Sequence, residues 1–179
     1  MKHISFPLTA LALSAFCFGA LSAPAQEPVA KPTTPNNAPA ESNPVVAALS
    51  KLPLFNGPIA PNAKYYVYLQ SAVWSYPCLR DIPSIVKAYD ELKANGIEIV
   101  YIGREKPEDV QKYLTRFKAP FPGVLCMKED EPGLPGFTAA YYFPYAIMID
   151  AQGNVVKDGF ATFILEWKET IAEYESKKK

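Results

Sequence analysis

Apolar positions from residue 45 onward alternate between the two-residue period of strands and the longer period of helices. Strand-like runs occupy 64–70, 97–102, 123–127, 145–149 and 155–157, and helical runs occupy 45–52, 77–94, 107–118 and about 164–174. A turn over 150–153 joins the last two strands into a hairpin. Strands that alternate with helices and end in a hairpin predict an α/β domain. Its central sheet is mixed, and helices cover both faces.

The first 44 residues follow neither period. Residues 1–25 combine a short basic start, an apolar run and the small-residue sequence Ala23-Pro24-Ala25, which is typical of a cleaved secretory signal peptide. Residues 26–44 contain five prolines and little that a core would bury, which favours an extended linker. We therefore predict one folded domain over 45–179 in a periplasmic or secreted protein, with no integral membrane span after signal cleavage.

The amino-acid composition excludes the common catalytic and metal sites that need histidine. Lys plus Arg and Asp plus Glu both number 18, so charge gives no argument for binding nucleic acid. The single histidine, His3, lies in the predicted signal peptide. A mature chain without imidazole excludes a Ser-His-Asp triad, a Cys-His pair and the common His-containing zinc sites. We expect no metal and no cofactor, and the cysteines become the candidate reactive groups.

The segment Ala72–Pro83 carries the most informative chemistry. It follows the strand at 64–70 and opens the helix at 77–94, which is where open α/β sheets place their sites. Cys78 is expected in the first helical turn, where unpaired backbone N–H groups and the helix dipole favour a thiolate. Pro77 suits the same turn, because its missing N–H needs no partner there.

These residues resemble the thioredoxin superfamily, and within it the extracytoplasmic TlpA/ResA-like branch. Members of that branch have a tryptophan before a Cys-x-x-Cys motif and a proline five residues after the second cysteine. Trp74, Cys78 and Pro83 stand at that spacing. Asp81 stands where the branch usually has a glutamate. The resemblance implies a thioredoxin-like fold and an ancestry in thiol–disulfide oxidoreduction.

A second stretch carries the same resemblance over the later part of the chain. The sequence from Phe143 to Asp150, followed by Gly153, is similar to the family's cis-proline strand and hairpin. By this resemblance Pro144 is the cis-proline that lines the site. The resemblance covers about residues 60–179.

One departure from the family changes the chemistry. Ser75 stands where the family has its first, nucleophilic cysteine, so the motif is a degenerate Ser-x-x-Cys. A serine hydroxyl is not appreciably ionised at neutral pH and forms no disulfide, so the ordinary two-cysteine redox cycle through Ser75-x-x-Cys78 is impossible. Serine also suits the N-cap position of a helix. Leu69 replaces the buried acid of thioredoxins proper, a role for which Asp81 is a partial substitute.

Two hypotheses retain redox chemistry. In the first, Cys78 pairs with Cys126, which follows a predicted strand whose carboxyl end shares a sheet edge with Cys78. A disulfide requires Cα atoms within about 7 Å. In the second, Cys78 acts alone and forms mixed disulfides with a client or a small thiol. The alternative to both is that Cys78 is an inert buried thiol.

A third hypothesis is a peptide- or protein-binding module without redox turnover. The predicted binding surface is aromatic and would hold an extended peptide. Its candidate residues are Trp74, Tyr76 and Pro77 on one side and Tyr141, Tyr142, Phe143, Pro144 and Tyr145 on the other. The expected partner is an extracytoplasmic protein or peptide client, with a thiol or disulfide partner if redox activity remains.

Overall fold

The computed structural model describes residues 43–126 and 133–178. The predicted signal peptide and nearly all of the predicted linker lie outside these residues, as do Cys17 and His3. The first described element is helix α1, Pro44–Leu49. It therefore begins one residue before the position at which the sequence pattern starts the folded domain.

In the described residues, six strands form one mixed sheet. The strands are β1 Leu54–Phe55, β2 Tyr65–Gln70, β3 Ile97–Gly103, β4 Gly123–Leu125, β5 Tyr145–Asp150 and β6 Val155–Phe160. Their spatial order is β1-β4-β3-β2-β5-β6. The three inner strands β4, β3 and β2 are parallel, whereas β1, β5 and β6 run antiparallel to their neighbours. The mixed sheet predicted from the sequence is confirmed.

The longer helices follow the strands in the predicted order. They are α2 Tyr76–Ala94, α3 Pro107–Phe117 and α4 Trp167–Lys177, with a 3-10 helix over Ala161–Glu166 before α4. The 3-10 helix differs from the prediction, which placed Ile164 in a continuous α-helix. No helix in the described ranges has both the length and the apolar character needed to cross a bilayer.

Alternate side chains of the sheet enter two separate apolar clusters. The helix-side cluster contains Leu69, Ile99 and Met148 from the sheet and Cys78, Ile82, Tyr113 and Ile164 from the helices. The α1-side cluster contains Tyr68, Ile102, Val124 and Ile147 from the sheet, Val45 and Leu49 from α1, and Cys126, Leu134 and Phe137 from loops.

Helices α2, α3 and α4 cover one face of the sheet, and α1 covers the other. The connections β2–α2–β3 and β3–α3–β4 progress in the same direction across the sheet. Because parallel crossovers are right-handed, both place their helix on the same face. The prediction of helices on both faces is confirmed, although three of the four α-helices in the described part share one face.

Candidate functional site

The segment between β2 and α2 lies at the sheet edge where the parallel strands end. Ser75 occupies the N-cap position of α2 with extended backbone, φ −80° and ψ 120°. Pro77 and Cys78 follow in the first turn, as predicted, and Pro83 lies inside the helix. The sequence therefore forms a strand–loop–helix unit that presents this segment at the centre of the edge.

Ser75 occupies the N-cap position of α2, but its hydroxyl does not cap the helix. Its side chain makes no capping hydrogen bond to α2 within the described structure, and the residue is buried. Its backbone carbonyl accepts a hydrogen bond from the N–H of Leu79 at 3.0 Å. The hydroxyl is therefore not required as an N-cap, and its neutral form supplies no nucleophile.

The thiol of Cys78 has no exposed surface. Its relative exposure is 0%, and it packs in the helix-side cluster. The backbone N–H of Ala72 donates to its Sγ at 3.5 Å. Cys78 takes part in no disulfide. A client disulfide can reach this sulfur only if the surrounding segment opens.

The possible Cys78–Cys126 disulfide is not formed. Cys126 directly follows β4, and its backbone N–H donates to the carbonyl of Gly103 at 2.7 Å. The two cysteines share one sheet edge, as expected, but Cys126 packs in the α1-side cluster on the opposite face. The sheet therefore separates their side chains. Within residues 43–126 and 133–178, no group of three His, Cys, Asp or Glu side chains is placed to hold a metal ion.

Polar side chains behind the segment fix its path. The hydroxyl of Tyr101 donates to the carbonyl of Ser71 at 3.1 Å, and the hydroxyls of Ser71 and Tyr113 share a hydrogen bond of 3.0 Å. Oε1 of Glu105 accepts from the N–H of Val73 at 3.1 Å. Burial raises the pKa of Tyr101 and of Tyr113, which keeps both hydroxyls protonated. Sequence patterns did not identify these residues, because their roles depend on loop paths.

Asp81 is engaged by its neighbour along the helix. Arg80 donates from Nε to Oδ1 of Asp81 at 2.6 Å and from Nη2 to Oδ2 at 3.0 Å. Both carboxylate oxygens are therefore occupied, and a role for Asp81 as a proton carrier requires that this ion pair breaks. Leu69 is completely buried in the helix-side cluster.

Trp74 and Phe143, two of the candidate aromatic residues, are in contact. Trp74 and Tyr76 are each 74% exposed. The ring of Trp74 packs edge to face on Phe143, with centroids 6.4 Å apart and planes at 89°. The peptide bond between Phe143 and Pro144 is cis, and Pro144 is buried.

Tyr145 belongs to a second aromatic group that faces away from Trp74. It packs against the α1-side cluster, its ring lies 5.1 Å from that of Tyr142, and its hydroxyl donates to Asp158. That hydrogen bond, together with burial, raises the pKa of Tyr145 to about 12. Tyr142 also contacts Phe160, with centroids 4.6 Å apart. Phe160, which pairs with Tyr145 in the sheet, was not identified from the sequence.

Gln70 anchors the loop that carries the aromatic residues. Its Nε2 donates to the carbonyl of Thr138 at 2.8 Å, and its Oε1 accepts from the N–H of Ala140 at 3.0 Å. The loop is therefore tied to the end of β2, next to Tyr141, which is 99% exposed. A polar residue at the end of an otherwise apolar buried strand is the signal that could have identified Gln70.

Comparison with known proteins gives a partial sequence match. No family model matches the chain. The thiol-disulfide oxidoreductase ResA of Halalkalibacterium halodurans is 33% identical over 84 residues, which are 45% of this chain and 45% of ResA. The match therefore spans less than half of the length of this curated relative.

Solved structures share the fold at low sequence identity. Thioredoxin from Wuchereria bancrofti is 21% identical with a TM-score of 0.51, and the likeness covers 64% of this chain and 82% of that one. A thioredoxin-like superfamily protein is 15% identical with a TM-score of 0.54, over 68% and 90% of the two chains. These likenesses show that the chain has a thioredoxin-like fold, and part of its sequence is similar to that of the thiol-disulfide oxidoreductase ResA.

Proposed function

We propose that the mature protein is an exported thioredoxin-fold module that binds an extended segment of an extracytoplasmic client without redox turnover. One observation carries this proposal. The site presents Trp74 and Tyr76 to solvent, whereas the Cys78 thiol is completely buried and Ser75 stands at the nucleophile position. The site therefore has exposed aromatic side chains that a client could contact, but it has no exposed thiol.

This site has no exposed thiol that could begin a dithiol exchange reaction. An exposed thiolate must attack a client disulfide, and a second thiol must then displace the client from the mixed disulfide. The Ser75 hydroxyl performs neither step, because it is neutral at physiological pH and forms no bond to sulfur. Cys126 does not substitute for it, because it lies on the opposite face of the sheet.

The aromatic residues suit a binding role. The large side chains of Trp74 and Tyr76 are in contact with water, so a partner that covers them lowers the free energy of the complex. Trp and Tyr also dominate binding energies at interfaces. Trp74 is supported by Phe143 and follows Val73, whose backbone N–H is held by Glu105. Because the frame is already ordered, binding costs little additional conformational entropy.

One observation favours monothiol chemistry at Cys78 as a second candidate. The backbone N–H of Ala72 donates to Sγ of Cys78 at 3.5 Å, and Cys78 lies in the first turn of α2. After local opening and loss of its proton to solvent, the Cys78 sulfur would attack one sulfur of a client disulfide and release the other as a client thiolate. A second, external thiol would be needed to resolve the mixed disulfide.

A peptide-binding measurement tests the proposal. Short random peptides displayed on phage are selected on the mature protein, and the affinity of a labelled synthetic peptide is measured by anisotropy. Trp74→Ala is expected to weaken binding at least about tenfold, as for other interface tryptophans. Val155→Ala is the matched control, because Val155 is an exposed apolar residue at the opposite end of β6 from Phe160.

The Cys78→Ala variant separates the two candidate functions. The binding module predicts that this variant keeps its affinity in the presence and absence of reductant. Equal affinity of Trp74→Ala and the wild type would contradict the aromatic surface. Binding that disappears with Cys78→Ala, or on addition of a reductant, would support monothiol chemistry instead.

A further inference from the structure

A cationic cleft lies next to Trp74. Val73, which directly precedes Trp74, lines a cleft of about 220 Å³ together with residues of α3. The α3 residues are Asp109, Lys112, Tyr113 and Arg116. The cleft therefore shares a wall with the segment that carries the exposed aromatic residues.

The two cations of the cleft, Lys112 and Arg116, form no ion pair with the residues that the structure describes. Lys112 and Arg116 are exposed and lie four residues apart, so they project from the same side of α3. Asp109 is the one carboxylate among the lining residues, so two positive charges face one negative charge.

Arg104 and Glu105 follow β3 at the same sheet edge, outside the lining of the cleft, and their opposite charges leave this balance unchanged. Arg104 precedes Glu105, the residue that binds the N–H of Val73. The Nε and Nη2 atoms of Arg104 and the Oε2 atom of Glu105 are buried and have no hydrogen-bond partner in the described structure, so these atoms are not presented to a bound client.

We propose that the client segment bound at Trp74 carries an acidic side chain that enters this cleft. The inference rests on the proposed binding function and names the class of client, an extended peptide with a carboxylate beside its apolar contact to Trp74. A chain that crosses Trp74 and continues past Val73 reaches Lys112 and Arg116. Charge complementarity at an exposed rim gives selectivity that is sensitive to salt.

Peptide selection with a charge-deleted variant tests this proposal. Displayed random peptides are selected in parallel on the wild type, on a Lys112→Gln/Arg116→Gln variant and on a Lys51→Gln/Lys64→Gln control. Lys51 and Lys64 are exposed, and they follow α1 and precede β2, away from the cleft. The control removes a similar charge elsewhere on the protein.

The wild type and the control are expected to enrich peptides that contain Asp or Glu beside an apolar residue. The cleft variant is expected to keep the apolar preference and lose the acidic one. For a synthetic acidic peptide at low salt, the cleft variant is expected to bind on the order of fivefold more weakly. Raising the salt concentration should remove that difference.

The outcomes distinguish this inference from the function on which it rests. Enrichment of apolar peptides with no acidic preference overturns the inference and leaves the binding function in place. An acidic preference that survives in the cleft variant overturns the inference as well. No enrichment on any of the three proteins overturns the binding function and the inference together.

Discussion

Single residues decide what this site can do. Ser75 and Cys78 are three positions apart at the start of α2, the spacing of a Cys-x-x-Cys motif. The backbone that would position two thiols is therefore present, and one atom, oxygen in place of sulfur, removes the disulfide. The structure adds that the remaining thiol is buried, which no periodicity in the sequence could establish.

Glu98 is a second residue whose chemistry depends on burial. It is 1% exposed, its Oε1 accepts from the hydroxyl of Tyr89 at 2.6 Å, and its Oε2 is buried without a hydrogen-bond partner. Burial raises the pKa of Glu98 above its ordinary value of 4.5. The folded state thus binds the proton more tightly than the unfolded state does.

Glu98→Gln is expected to stabilise the protein at pH 7. The stability that protonated Glu98 contributes is fully present below pH 4.5 and is lost as the pH rises through its raised folded pKa. A neutral amide avoids this loss, so we expect a gain on the order of 1 kcal/mol at pH 7 and little change at pH 4.

Urea denaturation at several pH values measures this effect. Asp90→Asn, at an exposed position of α2, serves as the matched control and is expected to change stability little. If Glu98→Gln lowers the free energy of unfolding by the same amount at pH 7 and at pH 4, the ionised Glu98 carboxylate does not destabilise the folded protein, and the explanation is wrong.

At the scale of elements, helix ends show where sequence and geometry disagree. Lys118 ends α3 in the left-handed conformation, with φ 52° and ψ 36°. Glycine is the residue that commonly adopts this conformation after a helix, because it has no Cβ to clash with the backbone. The chain therefore carries a small strain at this cap.

Lys118→Gly is expected to raise the free energy of unfolding by about 0.5–1 kcal/mol. The same substitution in the interior of a helix, Lys87→Gly in α2, is expected to lower it by about 1 kcal/mol. Thermal or urea denaturation compares the two variants directly. Two changes of the same sign would contradict the conformational explanation.

The longer helices and strands could be predicted from the sequence, whereas β1 and the 3-10 helix could not. The strands β2 and β3 and the helices α2 and α3 have enough residues for a period to be visible, and they were predicted within a few positions. The two-residue strand β1 and the 3-10 helix before α4 carry no distinct period. The three residues of β4 could not show that Cys126 faces the α1-side cluster.

At the scale of the whole molecule, the fold places Cys78 and Cys126 on opposite faces of the sheet and brings residues of the proposed binding surface together. Trp74 and Phe143, which are far apart in the sequence, meet because β5 lies beside β2 in the sheet. The sequence pattern placed these two residues on opposite sides of a predicted aromatic surface and did not predict that their rings touch. It did not anticipate Gln70, Glu105 and Tyr113, because loop paths decide which of their atoms meet.

The fold also places two positive charges close together, although the composition of the chain is balanced. Positive and negative side chains balance at 18 each over the full sequence. Even so, Lys112 and Arg116 lie beside Trp74 without an ion-pair partner in the described residues. Local charge, rather than net charge, is therefore what the proposed client would meet.

The most direct test of the central claim is the rate at which the protein reduces a disulfide substrate in the presence of an external dithiol, which returns the protein to its reduced form. This rate is measured for the wild type, Cys78→Ala and Ser75→Cys. The account predicts the same background rate for the first two proteins. Ser75→Cys is expected to show turnover, because it restores two thiols at the start of α2. Turnover by the wild type that Cys78→Ala abolishes would contradict the claim that this site binds without redox chemistry.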